Sequence, residues 1–405
     1  LIKHQIKFYP INILFNLYFL ISFLFFLFNF DFFFQKTYPS LFNTLSKKEF
    51  YFLVNESVKI LSLIGFFFNI GFYLIFKYFN NTKINVLPEL NEIDFLRLNF
   101  FLLLIKLILI LSFYFFNIKI AEIENPLTLL IALNSFYLII IYKNNYIINF
   151  LIIFFIFLEN SILTFSVYKN ALLFVAGFVI IYNLKKKISL FLISVLILWV
   201  IFGQSYKVRL RDNFQLNENY SISKKSDEIN IITKYDVNPV ILRLTEPVVS
   251  LIRIMEFEKI RKKNVQNDTL SILAYSPIPR FLYKNKPKQD FAVWYTSYFF
   301  DIYRIDELKK TVTYNIFWPS DLYINFGFNG LIIGSLIFGI FLSLLLSIFT
   351  KYNQNNIQYI LGISVFANLS FPDFNISLML SPIFLQLLIL FLILKFIIYF
   401  LKLKN

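Results

Sequence analysis

The chain of 405 residues has no cysteine, one histidine, two methionines and nine glycines. Without cysteine there is no disulfide framework, no iron–sulfur ligation and no thiol nucleophile. The lone histidine, His4, lies in the N-terminal tail and reads as a solvated residue. A histidine metal site and a Ser-His-Asp triad are thereby excluded. The phosphate signatures GxxxxGK[ST] and GxGxxG are absent, as are an Asp-x-Asp metal–nucleotide pair and HExxH. Nothing indicates nucleotide chemistry, which leaves reactions that use an already activated donor.

Acidic residues are few: 24 Asp and Glu stand against 39 Lys and Arg, a net charge of +15. In a soluble chain that balance would point to nucleic acid. This chain is 58% hydrophobic and 20% aromatic, more apolar surface than a soluble domain can hide, so the bilayer is its solvent. The excess lysine then has a plainer use. It sets topology in the loops and meets anionic lipid, with no nucleic-acid partner.

Ten apolar stretches have spanning length, at 11–34, 58–76, 97–117, 126–142, 145–164, 170–184, 187–203, 322–349, 357–371 and 377–401. They predict an all-α polytopic membrane protein with one large, partly helical loop between the seventh and eighth spans. The first stretch is too long for a signal-peptide core and reads as an uncleaved span. The chain starts with Leu rather than Met, so its start is read as an alternative codon or as lying upstream. Residues 1–203 form an N-terminal bundle of about seven helices, 204–320 the large loop, and 321–405 about three closing helices. With both termini cytoplasmic, twelve basic residues of the short loops and tails lie inside and six outside. That asymmetry turns the large loop outward. Trp199 and Trp318 flank it, where indole rings favour the membrane interface.

Within the loop, 213–236 is polar and reads as mobile. An amphipathic helix is predicted from Val240 to Lys263, kinked at Pro247 and lying on the membrane as a cap. Arg243 and Arg253 share its face, being close to three turns apart. With Arg209, Arg211, Arg280, Lys284, Lys286 and Lys288 they make a basic cluster at the outer surface. Guanidinium groups bind phosphate bidentately and keep their charge, so the cluster suits a lipid-linked diphosphate. Contacts to lipid head groups are the competing use. Arg280 sits between prolines, in Pro277-Ile-Pro279-Arg280 and Lys286-Pro287, which hold an extended path.

Asp321, Tyr323 and Asn325 open the eighth span. Asp321 is a helix cap or an acid/base carboxylate; Tyr323 and Asn325 bond sugar hydroxyls or satisfy the interface. Four of the nine glycines follow within thirteen residues, Gly327, Gly330, Gly334 and Gly339. The GxxxG from Gly330 to Gly334 predicts close helix–helix packing. Lys106 lies in the middle of the third span and needs a partner, with Asp31 and Glu159 as candidates.

Two phrases now carry a resemblance. Ile278-Pro279-Arg280 with Lys286-Pro287 is followed by Pro319-Ser320, Asp321, Tyr323, Asn325-Phe326-Gly327 and Gly330. This order resembles the bacterial O-antigen and capsule repeat-unit polymerases of the Wzy type, in which Glu often stands at the place of Asp321. The resemblance implies a membrane-embedded, metal-independent glycosyltransferase of the bacterial inner membrane that needs no cofactor. It would polymerise polyprenyl-diphosphate-linked oligosaccharide repeats on the periplasmic face, alongside a flippase and a chain-length regulator. Arg280 and Asp321 are then the catalytic candidates, with Glu246 and Asp290 as rival bases. Arg209, Arg211, Arg243, Arg253, Lys286, Tyr323 and Asn325 would bind diphosphate and sugar. An O-antigen ligase shares the layout, and a transporter or flippase of lipid-linked sugars is a further class.

Overall fold

The computed structural model describes residues 16, 20, 22–24, 26, 45–79, 87–88, 90–116, 121–141, 146–159, 173, 177, 239–263, 265, 267–275, 278, 283, 285, 287, 291–299, 316–349, 356–370 and 375–401. All regular structure among them is helical. In chain order the α-helices are α1 (Lys47–Phe79), α2 (Glu92–Phe116), α3 (Ala121–Ile141), α4 (Tyr146–Leu158), α5 (Pro239–Met255), α6 (Ala292–Phe299), α7 (Trp318–Phe349), α8 (Asn356–Phe366) and α9 (Ile376–Phe400). A π-helical turn, Glu256–Ile260, continues α5. Short 3₁₀ turns cover Ser271–Tyr275 and Ala367–Ser370.

Among the described residues four helices are long and apolar enough to cross a membrane: Lys47–Ile75, Glu92–Ser112, Trp318–Phe349 and Ile376–Phe400. They correspond to the second, third, eighth and tenth predicted spans. Shorter apolar helices at Pro126–Ile139, Ile147–Leu158 and Asn356–Phe366 correspond to the fourth, fifth and ninth. The chain is a helical membrane protein. Nearly all of 11–34 and 170–184, all of 187–203, and the polar stretch 213–236 lie outside the described residues.

Polar side chains join the helices where lipid offers no hydrogen-bond partner. Asn69 of α1 and Asn16 exchange amide hydrogen bonds of 3.1 and 3.3 Å. Asn99 of α2 donates to Ser135 of α3 at 2.9 Å. Lys106 of α2, almost fully buried, pairs with Glu159 just beyond α4, so Glu159 is its partner; Asp31 lies outside the described residues. A buried ammonium held this way avoids the cost of an unpaired charge at membrane depth.

The tightest packing is between α1 and α7. A Cβ on Gly339 would overlap the Phe68 carbonyl oxygen, and one on Gly71 the Leu336 carbonyl oxygen. The two backbones therefore meet at a pair of glycines, as small residues allow between membrane helices. Phe68 packs beside this crossing, 5.6 Å from Trp318 and 5.9 Å from Phe338 between ring centroids.

The eighth span is not straight. The rings of Trp318 and Phe338 lie 5.2 Å apart, whereas twenty residues of continuous helix would separate them by about 30 Å. A Cβ on Gly334 would come within 2.9 Å of Leu322 Cδ2. Gly327, at φ 65° and ψ −165°, accounts for both. That backbone region is open to glycine alone. The chain folds back there, so Trp318–Phe326 is a half-helix lying along the stretch that follows. The GxxxG glycines Gly330 and Gly334 make room for this half-helix, Gly330 beside Phe326 and Gly334 beside Leu322. The contact with α1 falls to Gly339 instead. Trp318 is correspondingly a core residue, 1% exposed between Phe68 and Phe338, and not an indole at the interface.

Candidate functional site: a half-helix and the loop bound to it

The half-helix carries Asp321, Tyr323 and Asn325, and the loop before it is tied to these three. Asp321 has no exposed surface. Its Oδ1 accepts from the Thr269 hydroxyl and, at 3.3 Å, from Asn325 Nδ2. Its Oδ2 accepts the backbone N–H of Ile376 at 2.9 Å. Ile376 is the first residue of α9, and its preceding residue, Asn375, makes no side-chain cap. Asp321 thus acts as a helix cap, but for α9 and not for its own helix. A carboxylate there satisfies an orphan N–H and complements the positive end of the helix dipole.

Asn325 completes the tie. Its Oδ1 accepts the backbone N–H groups of Thr269 at 2.9 Å and Leu270 at 3.3 Å. Its Nδ2 donates to Thr269 Oγ1 at 2.6 Å and to the Asp321 carbonyl at 2.7 Å. Asn267 N–H reaches the Ile324 carbonyl at 3.2 Å, and Ser377 Oγ donates to the Thr269 carbonyl at 2.6 Å. Residues 267–270, the half-helix and the start of α9 are therefore one hydrogen-bonded unit. Buried networks of this kind hold position only when every member is satisfied, as here. The loop then runs into Ser271–Tyr275, started by Asp268 Oδ1 accepting Ser271 N–H at 2.9 Å. Beyond it the rings of Tyr275 and Tyr283 stack at 6.1 Å. Ile278-Pro279-Arg280 falls between these two tyrosines in sequence.

The predicted amphipathic helix differs from its expectation. Val248, Leu251, Ile254 and Phe257 are buried as the pattern requires, but so are Val249, Ile252 and Met255. This part of α5 is covered on all sides and packs against α1 and α7, so it is a core helix and not a membrane-surface cap. Pro247 stands inside it. Arg253 is 2% exposed; its Nε donates to the Phe299 carbonyl at 2.6 Å and its Nη1 to Glu256. Glu256, with no exposed surface, also accepts Arg261 Nε at 2.9 Å. Burial pulls the Arg253 guanidinium below its ordinary value, against the opposing charge of Glu256. An arginine remains protonated in proteins all the same. Arg253, Arg261 and Lys263 surround the Phe257 ring, their cationic centres 4.9, 4.5 and 5.2 Å from its centroid. Cations favour an aromatic face.

The π turn brings Glu258 to the half-helix, where it accepts a hydrogen bond from the Tyr323 hydroxyl. One residue on, Lys259 pairs with Glu56 of α1 at 3.4 Å and lies over the Phe52 ring at 5.8 Å. Glu56 also pairs with Lys59 at 3.0 Å. The π turn is thereby joined to the N-terminal half of α1. Glu258 itself is half-buried.

Of the predicted site residues, Asp321, Tyr323, Asn325 and Arg253 are brought near one another through these links. Arg243 and Glu246 lie on α5, their side chains outside the described residues; Arg209, Arg211, Arg280, Lys286 and Asp290 are outside them altogether. Sequence reasoning missed Thr269, Ser377, Glu256 and Glu258. No motif spacing marks them, because each acquires its role from a partner 52 or more residues away or from the π turn. Among the described residues no group of three His, Asp or Glu could hold a metal ion. No protein-family model matches the chain, and neither a curated protein nor a solved structure matches it.

Proposed function

We propose that this chain is a membrane-embedded glycosyltransferase that polymerises polyprenyl-diphosphate-linked oligosaccharide repeats into O-antigen or capsule polysaccharide. In this reading ten spans cross the bacterial inner membrane, both termini are cytoplasmic, and the large loop faces the periplasm. The observation that carries it is the hydrogen-bonded tie between residues 267–270 and the Asp321–Asn325 turn. It binds the loop segment that leads toward Ile278-Pro279-Arg280 to the second phrase, which supports reading the two as parts of one site.

The growing glycan would leave its lipid diphosphate for a hydroxyl of the next lipid-linked repeat. Arg280, with Arg209, Arg211, Arg243 and Lys286, would neutralise the departing diphosphate, which supplies electrophilic catalysis without metal. Arg253 and Asn325 would serve by holding the scaffold, since their polar atoms are bonded within the protein. The test is the purified chain in proteoliposomes with an authentic lipid-linked repeat: a ladder of lengthened glycan is expected, and its absence with an active control polymerase overturns the reading.

A transporter of lipid-linked sugars is favoured by one feature, the fold-back of α7 at Gly327, since transporters build binding sites from interrupted helices. It predicts movement of the lipid-linked repeat across the vesicle membrane with no ladder. An O-antigen ligase predicts transfer to a lipid A core acceptor instead.

A further inference from the structure

We infer that Glu258 is the general base that takes the proton from the acceptor sugar's hydroxyl. This rests on the polymerase reading above and assigns a role within it to a residue that neither sequence phrase contains. Two geometric facts separate Glu258 from Asp321. Asp321 has no exposed surface, and both its oxygens accept hydrogen bonds from within the protein. Glu258 is half-buried, and among the described residues its carboxylate has one hydrogen-bond partner, the Tyr323 hydroxyl, on one of its two oxygens. The other oxygen can meet a substrate.

The π turn is what aims it. Five residues, Glu256–Ile260, widen the helix after α5 and present Glu256 inward to Arg253 and Arg261 while Glu258 meets α7. Such single-turn π segments concentrate at functional sites. The Tyr323 hydroxyl orients the carboxylate as the third member of a base constellation does. Nearby aromatic surface suits a sugar ring: Tyr298 is 36% exposed, stacks with Trp294 at 5.7 Å, and lies 5.9 Å from Phe257, the residue before Glu258. Among the described residues, the charged and titratable groups around this end include Glu56 and Lys59 of α1, Arg253 of α5, Glu256, Lys259, Arg261 and Lys263 beside Glu258, and Asp321 and Tyr323 of α7.

In the step proposed, Glu258 accepts the proton of the acceptor O–H as that oxygen bonds to the donor's anomeric carbon. The bond from that carbon to the diphosphate oxygen breaks, and the polyprenyl diphosphate leaves with the electron pair. The proton then passes from Glu258 to water, so charge and atoms balance with no further reagent.

The experiment is the ladder assay with the full chain in proteoliposomes, followed from acid to alkaline pH. Glu258→Gln should lower the rate at least about 100-fold, the usual worth of a general base, and Glu258→Asp should keep part of it. Tyr323→Phe should retain activity with a lowered kcat and an unchanged KM, because the carboxylate loses the hydroxyl that orients it. Melting temperatures and membrane insertion identify a variant that has merely failed to fold; in that case the Glu258→Asp and Tyr323→Phe kinetics decide. Wild-type rate and pH profile in folded Glu258→Gln would overturn this inference and leave the polymerase reading standing. No ladder from the wild-type chain would overturn both.

Discussion

The Asp321 carboxylate accepts the first backbone N–H of a helix that begins 55 residues later. One buried side chain thereby binds α7 to α9, and through Thr269 it also binds the loop that precedes both. The expected result of removing it is structural. Asp321→Ala should lower stability by about 2–4 kcal/mol, from a lost cap and from the donors of Thr269 and Asn325 left without their acceptor. Thermal melting in detergent checks this. Asp321→Asn, which keeps one acceptor oxygen, should lose less.

Gly327, Gly339 and Gly65 should respond differently to alanine. Gly327→Ala should cost about 1–3 kcal/mol because its backbone lies where side chains are strained. Gly339→Ala should cost a similar amount by pushing α1 and α7 apart at Phe68. Gly65 has open space around its Cβ position, so Gly65→Ala should be neutral or stabilise by up to about 1 kcal/mol. Equal melting temperatures for all three would contradict the fold-back and the glycine crossing.

Lys106 and Glu159 form a pair whose halves should be worth little apart. Glu159→Gln leaves an ammonium buried without its counter-charge and should destabilise by about 3 kcal/mol. Replacing both, as Lys106→Met with Glu159→Gln, should recover most of that loss, because the desolvated charge is removed with its partner. A double-substitution cycle read by melting temperature measures the coupling.

Arg253 and Arg280 should separate stability from activity. Arg253→Ala orphans Glu256 and the Phe299 carbonyl and should destabilise by about 3–5 kcal/mol. Arg253→Lys should not rescue it, since a point charge cannot donate in both directions of the guanidinium fork. Arg280→Ala should leave melting unchanged and abolish the glycan ladder. A normal ladder from Arg280→Ala would remove that residue from the proposed diphosphate site.

Much of the architecture was legible in the residues. The spans at 58–76, 97–117, 322–349 and 377–401 each met a long apolar helix, because bilayer thickness makes about 20 apolar residues a direct signal. That Lys106 needs a partner follows from a charge at that depth, but spacing left both Asp31 and Glu159 as candidates, and only the packing singles out Glu159. The capping chemistry of Asp321 was foreseen, but its target was not. A carboxylate at a helix start shows that an N–H will be satisfied; which helix supplies it depends on a contact between distant segments. The same limit applies to the glycines. Their clustering announced close packing, yet whether a helix continues through Gly327 is decided by one backbone dihedral that composition does not encode. The stripe on α5 was read from spacing as one-sided, although Val249, Ile252 and Met255 are covered too.

By itself, the sequence determined that this is a helical protein of the membrane and where its longest spans lie. Those properties follow from composition and from the cost of apolar surface in water, which act on every residue alike. Only the tertiary structure decided that the eighth span folds back on itself, that Trp318 is core, that Asp321 holds α9, and that Glu258 meets Tyr323. Each of these depends on one pair of groups brought within hydrogen-bonding or van der Waals distance, and such proximity is a property of the packed chain.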